Sequence, residues 1–125
     1  MEHPFRRLPD AELDVMQALW ECDIPALRAD IDKRLQKAHP MAQTTLLTLL
    51  SRLAEKGFLH IEKSGRSASY TPLVKKSDYL AAQSRRLVKT LCGGSMRAFA
   101  AALTESGLTK EELDELRTLL EQDSL

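Results

Sequence analysis

Apolar residues recur at helical spacing in three short segments of the first half of the chain. Spacings of three and four residues place such side chains on one face of an amphipathic helix. We therefore predict helices over Asp10–Glu21, from about Leu27 to Lys37 and from about Ala42 to Lys56. Their inner faces would carry Leu13, Met16, Leu19 and Trp20, then Leu27, Ile31 and Leu35, and last Ala42, Leu46, Leu49, Leu50 and Leu53.

Helix-breaking and helix-capping residues mark the ends of these segments. Asp10 follows Pro9 and is a suitable N-cap for the first helix. Pro25 lacks a backbone donor, so Ile24–Ala26 is expected to be a connector or a minimal edge strand. Gly57 stands where a left-handed C-cap would end the third helix. Three short helices with apolar faces predict a trihelical core.

The hydrophobic period changes to two after the third helix. Leu59 and Ile61 alternate with polar residues, a pattern typical of a half-buried strand. Residues 64–67 have the composition of a turn, and a returning strand is predicted to close at Pro72. A hairpin directly after three helices is typical of a wing. We therefore predict a mainly α fold with a winged helix-turn-helix DNA-binding domain over residues 8–72.

Three further helices are predicted after Pro72, separated by glycines. They run from Ser77 to about Cys92, over Ser95–Thr104, and from a capping box at Thr109–Glu112 onwards. Such short leucine-rich helices would bury little alone, so residues 73–125 are expected to form a helical dimerisation domain; folding back within a monomer is the alternative. The residues predicted to pair are Leu80, Leu87, Leu91, Met96, Phe99, Leu103, Leu113, Leu116 and Leu120.

The chain has no net charge, but its charges are unevenly distributed. Residues 1–32 hold three positive side chains against eight acidic ones. Between positions 33 and 72 only Glu55 and Glu62 are acidic, against seven positive residues. A chain divided in this way has one face suited to phosphate. The seven positive residues are Lys33, Arg34, Lys37, Arg52, Lys56, Lys63 and Arg66.

Two segments carry the side chains expected to contact double-stranded DNA. In a helix-turn-helix the second helix of the pair lies in the major groove, where glutamine suits adenine, arginine suits guanine or phosphate, and threonine offers both a hydroxyl and a methyl group. A basic hairpin tip suits phosphate or the minor groove. Thr45 lies at the boundary between the two faces of its helix, and Leu47 is an unusual residue for a solvated face. The predicted contacts are Gln43, Thr44, Thr45, Thr48 and Arg52, with Lys63, Ser64, Arg66 and Ser67 in the wing.

Several other classes of function lack sequence support. No apolar run is long enough to cross a membrane and none follows the first charged residues, so we expect no signal peptide and a cytoplasmic protein. Cys22 and Cys92 are isolated and are expected to be free thiols, and the three histidines lack partners at ligand spacing. No arrangement of catalytic residues is present, so we expect no enzyme, no metal and no cofactor.

Long stretches of the chain resemble the penicillinase and methicillin-resistance repressor family, which also includes copper-responsive operon repressors. The stretches are LPDAELDVMQALW, TTLLTLLSRLAEKGFLHIEKSGRSASYTP and SDYL, and the resemblance extends from about Leu8 to Leu120. It implies a homodimer that binds a palindromic operator and represses resistance or stress-response genes. It also implies DNA contact by Thr44, Thr45 and Thr48, with backbone contacts from Arg52 and the wing. An upstream sensor or protease would be a further partner.

The chain departs from the family pattern in three places. Ala42-Gln43 stand where the family often has Ser-Pro, which affects operator preference. Ala101-Ala102 stand where penicillinase repressors have the Asn-Phe bond whose cleavage inactivates them, and only Cys92 lies in the arm where the copper-responsive branch has paired cysteines. A repressor that senses a small molecule, in a pocket lined by Cys92, Met96 and Phe99, is a further alternative. A protein-interaction module is the alternative to DNA binding, and the basic wing disfavours it.

Overall fold

A computed structural model of the chain describes residues 6–122, which form two compact units that divide between Gln83 and Ser84. The order of elements is the one predicted, with three helices, a hairpin and a helical arm. The elements are α1 (Asp10–Trp20), β1 (Ala26–Leu27), α2 (Arg28–Ala38), α3 (Gln43–Glu55), β2 (Leu59–Ser64), β3 (Ser67–Pro72), α4 (Lys76–Arg86), a π-helical segment (Leu87–Leu91), α5 (Met96–Glu105) and α6 (Lys110–Glu121).

The first three helices bury the apolar faces that their spacing predicts. The buried side chains include Met16 and Leu19 of α1, Ile31 and Leu35 of α2, and Leu46, Leu49, Leu50 and Leu53 of α3. Leu13 and Trp20 are half-buried against them. The prediction was wrong for Leu27 and Ala42, which are exposed. Both residues precede their helices as N-caps, so they lie off the helical faces that pack into the core.

The N-cap of the first helix lies one residue before the place predicted for it. Pro9 is the N-cap and Asp10 is already helical, so the prediction of an Asp10 cap was wrong. The Pro9 carbonyl accepts the Leu13 N–H at 2.9 Å. Asp10 and Glu12 lie in the first turn, where carboxylates are favoured by the positive end of the helix dipole.

The three strands form one antiparallel sheet in the order β1-β3-β2. Tyr70 of β3 is opposite Ala26 on one side and Ile61 on the other. The segment around Pro25 therefore does supply the minimal edge strand, since β1 is two residues long and pairs with β3. Gly57 has φ +84°, as the predicted left-handed C-cap of α3 requires.

The core of the first unit extends past Pro72, where the sequence predicted the winged domain to end. Trp20 donates its indole N–H to the Val74 carbonyl at 2.9 Å, and the Tyr79 hydroxyl accepts the Leu8 N–H at 2.9 Å. The centroid of the Tyr79 ring lies 5.9 Å from that of Trp20 and 5.8 Å from that of Phe58, which it meets edge to face. Val74 and Tyr79 are buried, so the first turn of α4 belongs to the packed core of this unit.

The described part of the second unit is helical but buries no residue completely within one chain. From Ser84 to Gln122 every residue is exposed or half-buried. The capping box of α6 is confirmed, because Glu112 N–H donates to Thr109 Oγ1 at 3.0 Å and Thr109 N–H donates to Glu112 Oε1 at 2.9 Å. The prediction of one helix from Ser77 to Cys92 is corrected, because the regular α-helix ends at Arg86 and the next turn is π-helical.

A buried ion pair joins the first and third helices. Glu12 of α1 is only 3% exposed, and its carboxylate lies 2.5 Å from the Lys56 ammonium that follows α3. Two charges held out of water require each other, since removal of one leaves the other desolvated and unpaired. Lys56 was expected among the phosphate-facing charges, but its ammonium is held by Glu12 instead.

We expect the substitution Glu12→Ala to lower the free energy of unfolding by about 2 to 4 kcal/mol, because it leaves the Lys56 charge without its partner in a largely buried site. Urea denaturation followed by circular dichroism measures the change. The control is Glu21→Ala, which breaks the exposed Glu21–Arg34 pair and should cost less than about 1 kcal/mol. Equal losses in the two variants would contradict a special role for the buried pair.

Candidate nucleic-acid interface

Helix α3 has two chemically different faces. Four leucines face the core, and the remaining side chains are mostly polar and exposed. Thr45, which the sequence placed at the boundary, lies on the exposed side. The exposed set consists of Gln43, Thr44, Thr45, Leu47, Thr48, Ser51, Arg52 and Glu55. All five residues predicted on this helix as DNA contacts are therefore accessible.

Four of the predicted contacts on α3 line one shallow depression of about 300 Å³. They are Thr44, Thr45, Thr48 and Arg52, which surround the edge of Leu49. The Thr48 hydroxyl donates to the Thr44 carbonyl at 3.0 Å. Because a hydroxyl has one donor and two acceptor positions, Thr48 can still accept a hydrogen bond and present its methyl group. Gln43 does not line this depression.

The wing is a tight hairpin with a basic tip. Ser64 pairs with Ser67, so its loop is only Gly65 and Arg66, shorter than the four-residue turn suggested by composition. Gly65 has φ +63°, a left-handed conformation that residues with a side chain rarely adopt. The four wing residues predicted to contact DNA are all exposed: Lys63, Ser64, Arg66 and Ser67.

A second depression, of about 400 Å³, brings the wing together with α3 and the start of α2. Arg66 and Ser67 line it from the wing, Leu47 from α3 and Arg28 from α2. Lys63 and Ser64 do not line it. Arg28 was not among the predicted contacts, because in the sequence it falls within the acidic first quarter of the chain. Its position shortly after the predicted edge strand is the sequence feature that could have indicated a place close to the wing.

Three of the four basic residues of α2 line a third depression, of about 310 Å³. Lys33, Arg34 and Lys37 line it together with Asp23 and Asp30. The predicted basic segment is therefore divided: these three cations have acidic neighbours, Lys56 pairs with Glu12, and Arg52 and Arg66 lie beside the two depressions described above.

Cys22 borders the same depression, and burial disfavours its thiolate form. It is buried, and its thiol donates to the Ala18 carbonyl at 3.3 Å. Burial is the main cause that raises the pKa of the Cys22 thiol, and it outweighs a hydrogen bond from Arg34, which acts to lower that pKa. Both cysteines are free within the described part of the chain.

The residues predicted for dimerisation are accessible to different degrees. Phe99, Leu103, Leu113 and Leu116 are half-buried. Leu91 and Met96 are the most open, at 75% and 64% exposure. Leu80, Leu87 and Leu120 are also exposed. The arm thus presents many apolar side chains and has no interior of its own in one chain.

Two classes of feature are absent from residues 6–122. No helix in this range is long and apolar enough to cross a membrane. The same residues contain no group of three or more histidine, cysteine, aspartate or glutamate side chains that could hold a metal ion.

Comparison with known proteins identifies the family of this chain. The sequence profile described as "Penicillinase repressor" matches residues 8–122. This chain belongs to the penicillinase repressor family. The resemblance noted in the sequence is therefore confirmed, and with it the expectation of a DNA-binding transcriptional repressor of this family.

Individual relatives agree over nearly the whole chain. The penicillinase repressor of Bacillus licheniformis is 32% identical over 117 residues, covering 93% of this chain and 91% of the relative. The methicillin resistance regulatory protein MecI of Staphylococcus aureus (strain N315) is 26% identical over 121 residues, covering 96% of this chain and 98% of the relative.

A solved structure supports the fold of the first unit. The solution structure of the DNA-binding domain of the repressor BlaI matches with a TM-score of 0.52 and 36% identity. The match covers 60% of this chain and 90% of that domain. The predicted winged-helix fold is thereby confirmed.

We expect the substitution Gly65→Ala to lower the free energy of unfolding by about 1 kcal/mol, because a Cβ disfavours the left-handed conformation at the wing tip. An added Cβ would meet no atom within 4 Å, so conformation alone determines the cost. Urea denaturation measures it, and Gly65→Asn is the control because asparagine tolerates this conformation better. A larger loss in the asparagine variant would show that this explanation is wrong.

Proposed function

We propose that this protein represses transcription as a homodimer bound to a palindromic operator. The observation that carries the proposal is the two-faced α3, which presents Thr44, Thr48 and Arg52 on one open surface beside the wing. The match to the BlaI DNA-binding domain supports the same use of this surface. The site consists of surface depressions with hydrogen-bonding and basic side chains, as a nucleic-acid interface requires, so we infer that the protein is not an enzyme.

Helix α3 would read base edges in the major groove. An α-helix fits this groove, and threonine and glutamine side chains form hydrogen bonds with base edges there. Thr45 and Thr44 precede Thr48 by three and four residues, a spacing that brings side chains together on a helix surface. The three threonines could therefore contact neighbouring base pairs. Gln43 is the first residue of α3 and would contact a base or phosphate at the edge of the site.

The wing would hold the phosphate backbone. Arg66 stands at the tip of the hairpin, and Lys63, Ser64 and Ser67 follow on its two strands. Contacts of lysine and arginine with phosphate release counterions, so they make binding dependent on salt without selecting a sequence. Arg52, in the last turn of α3, would add a further backbone contact.

The helical arm would pair two chains. From Ser84 to Gln122 no side chain is buried, although α5 and α6 are rich in alanine and leucine. An apolar surface of this kind gains stability when a second copy covers it. Two winged helices held in this way would place two α3 helices in successive major grooves, about 34 Å apart, so the operator should be palindromic. The named relatives are a penicillinase repressor and a methicillin resistance regulatory protein, so we propose resistance or stress-response genes as the targets. We also propose that the protein acts in the cytoplasm.

Binding-site selection from random duplex DNA, with the purified full chain, tests the proposal directly. We expect enrichment of a palindrome whose half-sites are centred about one helical turn apart. Recovery of no enriched sequence would overturn sequence-specific DNA binding. Enrichment of a single, non-repeated site would overturn the dimer while leaving DNA binding intact.

The wing and α3 should contribute differently to binding. We expect Arg66→Ala to weaken binding to all sequences and to reduce the slope of log K against log salt by about two, because the dimer loses one phosphate contact in each half-site. Thr48→Ala should instead relax base preference at one position per half-site. Titrations of operator and unrelated DNA at several salt concentrations measure both effects, with Arg117→Ala in α6 as the control. The same loss in both variants would refute this division.

A charge introduced into the apolar surface of the arm should dissociate the dimer. We expect Leu91→Glu to convert the dimer to a monomer, because a carboxylate would lie at an apolar site that is 75% exposed in the single chain. Sedimentation equilibrium measures the mass, and operator titration should show at least about a tenfold loss on the palindrome with an unchanged half-site affinity. Leu73→Glu, at an exposed leucine of the first unit, is the matched control and should remain dimeric.

A further inference from the structure

One exposed apolar side chain interrupts the polar face of α3. Leu47 is 40% exposed, whereas the other four leucines of the helix are at most 6% exposed. Its helical neighbours Thr44 and Ser51, three residues before and four residues after it, are exposed and polar. The core does not account for Leu47, since that face of α3 is already filled by the four buried leucines.

The surroundings of Leu47 indicate what covers it. It lines the 400 Å³ depression together with Arg28 of α2 and Arg66 of the wing tip. Ala68 and Tyr70 of the wing line the same depression, yet they leave two-fifths of Leu47 open. Two arginines beside an apolar side chain favour a polyanion that also presents an apolar group. A purely apolar protein partner would leave both guanidinium groups without a counter-charge.

We propose that Leu47 is a specificity-determining residue that contacts the C5 methyl group of thymine in the major groove. The inference rests on the proposed function and deepens it. The edges of the four bases in the major groove present one apolar group, and that group is the thymine methyl. Leu47 would select a T·A pair by removing this methyl and its own exposed carbons from water. Arg28 and Arg66 would hold the phosphates on either side of it.

A double-mutant cycle with uracil-substituted DNA tests this contact. Uracil lacks only the C5 methyl group, so it removes the proposed partner and leaves every hydrogen-bonding atom of the base pair. With the enriched operator, we expect replacement of one thymine by uracil to weaken binding of the unaltered protein about fourfold, the equivalent of one buried methyl group. We expect Leu47→Ala to weaken binding to the thymine operator by at least that factor.

The decisive result is the coupling between the two changes. In Leu47→Ala, the same uracil replacement should have no further effect, because the contact is already lost. Equal uracil losses in both proteins would overturn the proposal, and so would an operator in which no single uracil replacement weakens binding. Leu47 is 40% exposed and alanine favours helix, so the variant should fold and its urea midpoint should fall only slightly.

Two control variants separate Leu47 from other sources of the effect. Thr48→Ser removes a neighbouring threonine methyl group and keeps the hydroxyl, so the fourfold loss with uracil should persist in it. Persistence is also expected in Leu73→Ala, which truncates an exposed leucine outside α3. Disappearance of the uracil effect in Thr48→Ser would assign the contact to Thr48 and overturn the proposal. Enrichment of no duplex at all would overturn the proposed function, and the thymine contact of Leu47 with it.

Discussion

The rotation of α3 about its own axis is the constraint on which the rest of the interface depends. Four leucines on one face, Leu46, Leu49, Leu50 and Leu53, are buried against α1 and the sheet, and they leave the helix only one orientation. The side chains between them are then necessarily turned outward. The buried leucines thus determine which side chains of α3 are available to contact DNA. A shift of the leucine spacing by one position would expose a different set of side chains.

Two long-range polar contacts help to fix this orientation within the first unit. The Glu12–Lys56 pair holds the end of α3 against α1, and the Tyr79 hydroxyl holds the chain at Leu8. Each is a long-range contact between a buried polar group and one partner. Such contacts add specificity to an otherwise leucine-rich interior, because a slipped arrangement would leave a charge or an N–H group unpaired.

Local pattern was enough to predict most of the fold. The spacing of leucines in α3, the left-handed Gly57 and the alternation at Leu59 and Ile61 are local signals, and each element lies where they indicate. The errors lie at boundaries. Leu27 continues the helical spacing of α2, but it precedes that helix and pairs with β3. The π-helical turn after Arg86 has no distinct sequence pattern, because the same leucines fit an α-helix equally well.

The candidate site was harder to predict, because it depends on contacts between distant segments. Thr44, Thr48 and Arg66 could be placed on exposed surfaces from helical period and turn composition alone. That Lys56 faces Glu12, and that Arg28 joins Leu47 and Arg66 around one depression, requires the three-dimensional fold. Net charge within a segment was a coarse guide for the same reason, since charges that are adjacent in sequence face different neighbours.

An arm without an interior makes the proposed repressor sensitive to its own abundance. If apolar side chains such as Leu91 and Phe99 are covered only by a second chain, then ordering of the arm and association are one equilibrium. The occupancy of a two-fold operator would then rise with the square of the free chain concentration while dimers are scarce. A modest fall in synthesis or a modest rise in turnover would release the operator over a narrow range, without any ligand.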